Sequence, residues 1–259
     1  RKDMNRPMIK SFPMNTCSCF LTNDAIIFIH IIKDFTHEPK RIAKETIRLS
    51  EIKIIHFLVG FRGYPFDNPH VVDTTFKILG SSSSGNAALL RACECNILID
   101  AGLSGKKIQA LLKDEGTSIE QLDAIFLTHE HNDHCAGIRV LSKLGNLPIF
   151  ANRDTIQAIQ PKLPRRPNWK IFETGKAFRF QSFKVHPFSV PHDAYDPVGF
   201  YFEWGKDDLF EPRSSLAWVT DLGFVPTLVR ERIRQARILV IESNYCAKML
   251  EQDPKRPWS

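Results

Sequence analysis

One short stretch carries most of the structural information in this chain: Thr128-His129-Glu130-His131-Asn132-Asp133-His134. Three histidines and an aspartate among its seven residues, His129, His131, Asp133 and His134, are candidate metal ligands. The stretch follows an apolar run at 124–127, which predicts a buried strand, and it precedes a helical pattern. An ordinary polar loop is not expected to gather so many ligands at a strand-to-helix junction, so we predict a metal centre here.

The spacing within this stretch indicates how the ligands divide. His129 and His131 are two residues apart, and on an extended segment alternate side chains point the same way, so both imidazoles can reach one ion. Asp133 and His134 follow at the start of the predicted helix and can face a second ion beside the first. Imidazole suits zinc or iron, and a carboxylate helps to hold a pair of ions.

The composition is that of an ordinary soluble globular protein. The chain has 259 residues and a net charge of +6, which permits an anionic partner without establishing one. The apolar run at 25–32 is far shorter than the roughly 20 residues that a bilayer requires. Basic residues precede this run as in a signal peptide, but no small-residue cleavage site follows it. We therefore expect a cytoplasmic protein with no membrane partner.

The six cysteines do not form a convincing disulfide framework for a chain of this length. We predict reduced thiols that pack as small apolar groups. The alternative is a four-thiolate zinc site built from the pairs Cys17/Cys19 and Cys93/Cys95, although zinc sites more often use pairs with two intervening residues.

The chain divides into two regions that differ in sequence pattern. Residues 1–72 form an N-terminal extension of unknown role, with a possible helix at 40–58 and a linker at 60–69; it is either an accessory element or foreign to the domain. Residues 73–259 form the domain. Its predicted strands come first in hairpins, then alternate with helices, then return to hairpins, which predicts an α/β layered fold with a mixed sheet.

Four segments of the domain together resemble one known family. They are Ile78-Leu79-Gly80-Ser81-Ser82-Ser83-Ser84-Gly85-Asn86, the His-rich stretch, Val190-Pro191-His192-Asp193-Ala194 and Thr220-Asp221-Leu222-Gly223. The chain resembles the metallo-β-lactamase superfamily, and more narrowly its YycJ/WalJ-type branch. The resemblance implies a four-layer αββα sandwich with two divalent metal ions, Zn or Mn, at one edge. It also implies a 5′-to-3′ DNA exonuclease that acts through a metal-activated water.

The resemblance also implies a ligand set. His129, His131 and His192 would hold the first metal, Asp133 and His134 would hold the second, and Asp221 would bridge both. Asp133 would in addition act catalytically, by holding the attacking water or moving its proton. The competitor to His192 is His186, but it lies inside a predicted strand, where we expect a packing role.

Further residues are candidates with two open interpretations each. Ser82, Ser83, Ser84 and Asn86 either bind a substrate phosphate or form a plain hairpin loop. Asp100 ends a strand and either orients a ligand histidine or forms a turn. Arg165 and Arg166 either contact a nucleic-acid backbone or lie in a solvated loop.

One departure from the family pattern concerns the second metal. The family has a last ligand histidine near its C-terminus, whereas no histidine follows His192 before the chain ends at Ser259. Either the C-terminal part of the domain is truncated, which we favour, or the second metal site is weak for lack of this ligand. The alternatives are a thioester or lactone hydrolase of the same fold, or an inactive fragment.

Overall fold

Two six-stranded sheets form the framework of the protein. The computed structural model describes residues 25–29, 74–205 and 213–242. The first sheet contains β2 to β7, which are Thr75–Gly80, Ala87–Ala92, Cys95–Ile99, Ala124–Phe126, Pro148–Ala151 and Asn168–Ile171. The second contains β1 and β8 to β12, which are Ala25–Ile29, Phe178–Phe180, Phe183–Ser189, Val198–Trp204, Ser214–Val219 and Ile238–Glu242.

Both sheets are mixed, as predicted. In the first sheet β2, β3 and β4 are antiparallel, and β4 to β7 are parallel in sequence order. In the second sheet β8 to β11 are antiparallel, and β12 runs parallel to β11 and to β1. The carboxyl ends of parallel strands meet at one edge of a sheet, and this is where sites occur in such folds. Asp100 follows β4 and the His-rich stretch follows β5, so both lie at that edge.

Three apolar cores separate four layers. Between the sheets, Phe126 of β5 packs edge-on against Phe200 of β10, with ring centroids 5.7 Å apart. A second core joins the outer face of the first sheet to α1, α3 and α4. A third joins the outer face of the second sheet to α5. The helices are α1 Gly105–Asp114, α2 Asn132–Cys135, α3 Ile138–Leu141, α4 Arg153–Ile159 and α5 Thr227–Ile233.

This layering confirms the predicted αββα sandwich. The central strands are buried on both faces: Ile97 and Ile99 of β4 face the core between the sheets, and Leu98 faces the helical layer. Such strands appear in the sequence as continuous apolar runs. Burying a side chain as large as Phe126 stabilises the fold by roughly 1.5–3 kcal/mol.

Two local predictions were wrong. The apolar residues Ile138, Val140, Leu141 and Leu144 predict one helix that ends at Gly145, but α3 ends at Leu141 and two further backbone turns carry the chain to Leu147. Strand β7, which directly follows the proline-rich loop at 162–167, was not recognised in the sequence. Half of the residues of β7 are exposed and it lies at the edge of its sheet, so it lacks the apolar alternation by which strands are recognised.

The N-terminal extension contributes β1, whose backbone pairs with β12. The predicted helix at 40–58 and the linker at 60–69 lie outside the described residues, as do Cys17 and Cys19. Among the described cysteines, Cys95 and Cys135 are buried in apolar cores and unpaired, as predicted for packed thiols. Within the described ranges, no helix is long and apolar enough to cross a membrane.

Candidate metal centre

The His-rich stretch forms the floor of the site because it connects β5 to a single helical turn. His131 precedes α2 with extended backbone angles, and the amide of His134 donates to the carbonyl of His131 at 2.9 Å. This tight turn brings four side chains of the stretch to one edge of the first sheet. The amide of Val198 donates to the carbonyl of Thr128 at 3.1 Å, and this bond ties the second sheet to the stretch.

Three imidazoles meet at one point of this edge. His131 Nδ1 lies 3.1 Å from His129 Nε2 and 3.1 Å from His192 Nε2. Burial, together with the positive charge of His134, lowers the pKa of His129, and burial also lowers the pKa of His192. Both rings are therefore neutral near pH 7, and neutral imidazole is the form that binds metal.

A second group adjoins the first through His129, which lies within 4.8 Å of both His134 and Asp221. His134 Nε2 lies 2.8 Å from Asp221 Oδ2 and 3.6 Å from Asp133 Oδ2. Burial alone would raise the pKa of Asp221, but the hydrogen bond and charge of His134 hold it below the usual carboxyl range. This group therefore combines imidazole nitrogen with carboxylate oxygen.

Asp100 contacts the second group on the far side of the His134 ring. Its carboxylate is fully buried, lies 2.9 Å from His134 Nδ1, and accepts hydrogen bonds from the amide and hydroxyl of Thr128. Burial alone would lower the pKa of His134, but Asp100 and Asp221 outweigh burial and raise it to about 10. Because Nδ1 donates to Asp100, Nε2 is directed at Asp133 and Asp221.

Comparison with known proteins assigns the family. A sequence model of the β-lactamase superfamily domain matches residues 95–255. The chain belongs to the β-lactamase superfamily. It is 35% identical to exodeoxyribonuclease YycJ of Bacillus anthracis over 186 residues, which are 71% of this chain and 67% of that protein. It is 36% identical to exodeoxyribonuclease WalJ of Streptococcus pneumoniae serotype 2 over 179 residues, which are 68% of this chain and 64% of that protein.

Within the superfamily the chain falls in the YycJ/WalJ-type branch, and it spans about two thirds of the length of these relatives. A diphosphatase of the PhnP family shares the fold, with a TM-score of 0.50 at 21% identity over 64% of this chain and 72% of that one. The predictions of a metallo-β-lactamase fold and of a hydrolase are thereby confirmed.

The two groups of side chains fit the divalent metal ions that this superfamily fold implies. A proton on His131 Nδ1 can form a hydrogen bond with only one of the two neighbouring imidazole nitrogens, His129 Nε2 or His192 Nε2. A cation between the three nitrogens could accept a lone pair from each of them. The second group offers His134 with Asp221, and Asp133 lies beside it. Nitrogen with carboxylate oxygen is a donor set that suits zinc or manganese.

The structure brings all six predicted metal ligands together, and their roles remain predictions. His186 lies elsewhere, on β9, where its Nε2 is 2.6 Å from Glu203 Oε2. In the predicted phosphate-binding turn, Asn86 is buried and its Nδ2 lies 3.0 Å from His134 Nε2. Ser83 and Ser84 are exposed, and Ser82 caps the turn by accepting from the amide of Ser84.

Close backbone packing holds Asn86 at the centre. The amide of Asn86 donates to the carbonyl of Asp133 at 2.7 Å, and its own carbonyl accepts from the amide of Gly102 at 2.8 Å. A Cβ atom on Gly102 would lie 1.6 Å from the carbonyl oxygen of Asp133, so this position requires glycine. The serine turn is thus attached to the helix that carries Asp133 and His134.

Sequence reasoning missed the cleft that opens beside His131. It has a volume of about 560 Å³, and Glu130, Lys162, Asp193 and Tyr195 lie in its walls. Glu130 is buried although it lies between two predicted ligands, and its Oε1 accepts from the amide of Tyr195 at 3.0 Å. The position of Glu130 inside the motif was a signal, but its partner is 65 residues away in sequence.

Proposed function

We propose that this domain is a metal-dependent phosphodiesterase that removes nucleotides from the 5′ end of DNA. The observation that carries the proposal is the pair of adjoining groups centred on His129, whose donor atoms suit two metal ions. The exodeoxyribonuclease relatives support DNA as the substrate, and the six ligand positions predicted from the sequence lie together at one edge of the sandwich.

The residues divide between two ions. His129, His131 and His192 would hold the first, Asp133 and His134 would hold the second, and Asp221 would be shared. When bound, the ions lower the pKa of a water molecule and offset negative charge on the phosphate. The low pKa of Asp221 keeps its carboxylate ionised and available to a cation across the neutral pH range.

Asp133 is the best-placed group for moving a proton. Its side chain is 30% exposed, whereas His134 beside it is fully buried, so the Asp133 carboxylate can reach both the cluster and solvent. Asn86 Nδ2 lies 3.4 Å from Asp133 Oδ2 and limits its rotation. In the proposed reaction Asp133 orients the attacking water and accepts its proton at Oδ. In this proposal the exposed hydroxyl groups of Ser83 and Ser84 would contact the phosphate, since the amides of Ser84, Gly85 and Asn86 already donate within the protein.

The decisive experiment measures nucleotide release from 5′-phosphorylated duplex DNA in the presence of Mn²⁺ or Zn²⁺. We expect mononucleotides from the 5′ end, and less release when that end is blocked. His186→Ala is the matched control for His131→Ala, because His186 is paired with Glu203 away from the cluster. Hydrolysis of a thioester or lactone without release of nucleotides would contradict the proposed substrate.

Metal analysis separates an active domain from an inactive fragment. The proposal requires two ions per chain in protein purified with Mn²⁺ or Zn²⁺. One loosely held ion, or none, together with no release of nucleotides from DNA, would support the inactive alternative.

A further inference from the structure

The cleft beside His131 has one wall formed by a loop that is fixed on both sides of Tyr195. On the N-terminal side of the Tyr195 Cα atom, the amide of Tyr195 donates to the buried carboxylate of Glu130 at 3.0 Å. Just after it, the carbonyl of Asp196 accepts from Asn152 Nδ2, and Asp196 Oδ2 accepts from the hydroxyl of Thr174, both at 2.6 Å. The backbone of this segment is therefore held in place by two other elements.

Tyr195 as a whole is 77% exposed although its backbone is anchored. A fixed backbone with a free aromatic ring at the edge of a cleft is a prepared contact surface, because little conformational freedom remains to be lost when a flat ligand stacks on it. Tyrosine is suited to this role, since it offers a large rigid ring with few rotatable bonds.

Lys162 supplies positive charge to the same cleft. Lys162, at the end of the 3-10 turn that follows α4, lines the same cleft and is exposed. Arg165 and Arg166 continue the basic character along the adjoining loop and are exposed as well. The cleft also contains the Asp193 carboxylate, which lies 3.1 Å from His192 Nδ1. The Glu130 carboxylate lines the cleft as well but accepts from the amide of Tyr195, and Lys162 is the lysine that lines the cleft and can pair with an anion.

We propose that this cleft binds the unpaired end of a DNA strand, with a base stacked on Tyr195 and a phosphate on Lys162. The proposal rests on the proposed nuclease function and names the substrate-binding surface for it. Aromatic rings beside a basic groove are the usual means by which proteins hold single strands without reading their sequence. A cleft of about 560 Å³ has the size of a small-ligand pocket, so it suits a single unpaired nucleotide.

Binding to the metal-loaded protein tests the proposal separately from catalysis. The probe is a 5′-phosphorylated single-stranded oligonucleotide with phosphorothioate linkages, followed by fluorescence anisotropy and compared with a blunt duplex of the same sequence. We expect the single strand to bind more tightly. Tyr195→Ala should weaken its binding by about 5- to 150-fold, the range measured for one stacked base, and Tyr195→Phe should retain it.

Salt dependence tests the phosphate contact. Lys162→Gln should reduce the slope of log affinity against log salt by about 0.7, as expected for one phosphate contact with a single strand. The matched control is Lys113→Gln, an exposed lysine in the last turn of α1 that should leave affinity and slope unchanged. Equal behaviour of the two lysine variants, or unchanged binding by Tyr195→Ala, would overturn the proposal. If the native protein releases no nucleotides although Tyr195→Ala and Lys162→Gln change binding as expected, the proposed function is overturned and the binding proposal stands.

Discussion

Replacing Asp100 by Asn removes one charge from beneath the metal centre and leaves the shape of the side chain unchanged. Asp100 has a φ of 58°, and Asn tolerates this left-handed conformation, so the backbone should not be strained by the change. The native carboxylate accepts from three groups on two residues, the hydroxyl and amide of Thr128 and the ring of His134. An amide has a single oxygen, so it cannot accept from both residues.

The size of the effect follows from which bond is lost. Thr128 N and Oγ1 both lie 2.9 Å from Asp100 Oδ1, so the amide oxygen of Asn should remain with Thr128 and its NH₂ group should face His134 Nδ1. His134 then loses a buried charge-assisted hydrogen bond, which costs about 1.5–3 kcal/mol of stability in the metal-free protein. With its tautomer no longer fixed, the affinity of the second metal should fall by about 10- to 100-fold.

Competition with a chelator, combined with urea unfolding in EDTA, measures both quantities. The matched control is Asp193→Asn, because Asp193 also pairs with a predicted ligand, His192, but is 89% exposed and therefore screened by solvent. We expect the control to change metal affinity little. The reasoning is refuted if Asp100→Asn keeps both metals at native affinity, or if the exposed Asp193→Asn variant loses as much.

Three further outcomes follow from the same geometry. His131→Ala should abolish hydrolysis while circular dichroism shows a folded protein, because His131 is only partly buried; retained turnover would remove it from the site. Gly102→Ala should lower the free energy of unfolding by at least about 3 kcal/mol, since its Cβ would overlap the carbonyl of Asp133, whereas Gly145→Ala, which meets nothing within 4 Å, should behave like the native chain in urea. In metal-free protein the raised pKa of His134 should stabilise the fold fully below about pH 6.5 and progressively less as the pH rises through about 10; a flat urea midpoint across that range would contradict this.

The sequence was most informative where local pattern and local chemistry coincide. The strand before the His-rich stretch and the helical turn within it follow from apolar runs and the position of Asp133, so four metal-binding side chains could be placed from one segment. His192 and Asp221 were recognised through a family resemblance, because their distance in sequence from the stretch hides their proximity. Strand β7 was missed because an exposed edge strand has no periodic signal.

Contacts that depend on pairs of distant residues could not be predicted from the residues alone. Glu130 looks like a spacer between two ligands, and only the fold shows that it holds the amide of Tyr195. The requirement for glycine at 102 is likewise invisible in the sequence, since it arises from the approach of the Asp133 carbonyl rather than from the conformation of Gly102 itself. Both the Glu130 contact and the need for glycine at 102 arise from residues that are close only in the folded protein, and local sequence propensity carries no information about such contacts.

His134 joins the two sheets, and the same arrangement explains why two aspartates adopt a left-handed backbone. Asp100 ends a strand of the first sheet with φ 58°, and Asp221 ends a strand of the second with φ 53°. An extended backbone would carry both side chains onward past the sheet edge, whereas this turn lets each carboxylate face back toward the seam. His134 Nδ1 lies 2.9 Å from Asp100 Oδ2, and His134 Nε2 lies 2.8 Å from Asp221 Oδ2. Backbone strain of about 1 kcal/mol or more at each aspartate is thus offset by charge-assisted bonds to one shared ring.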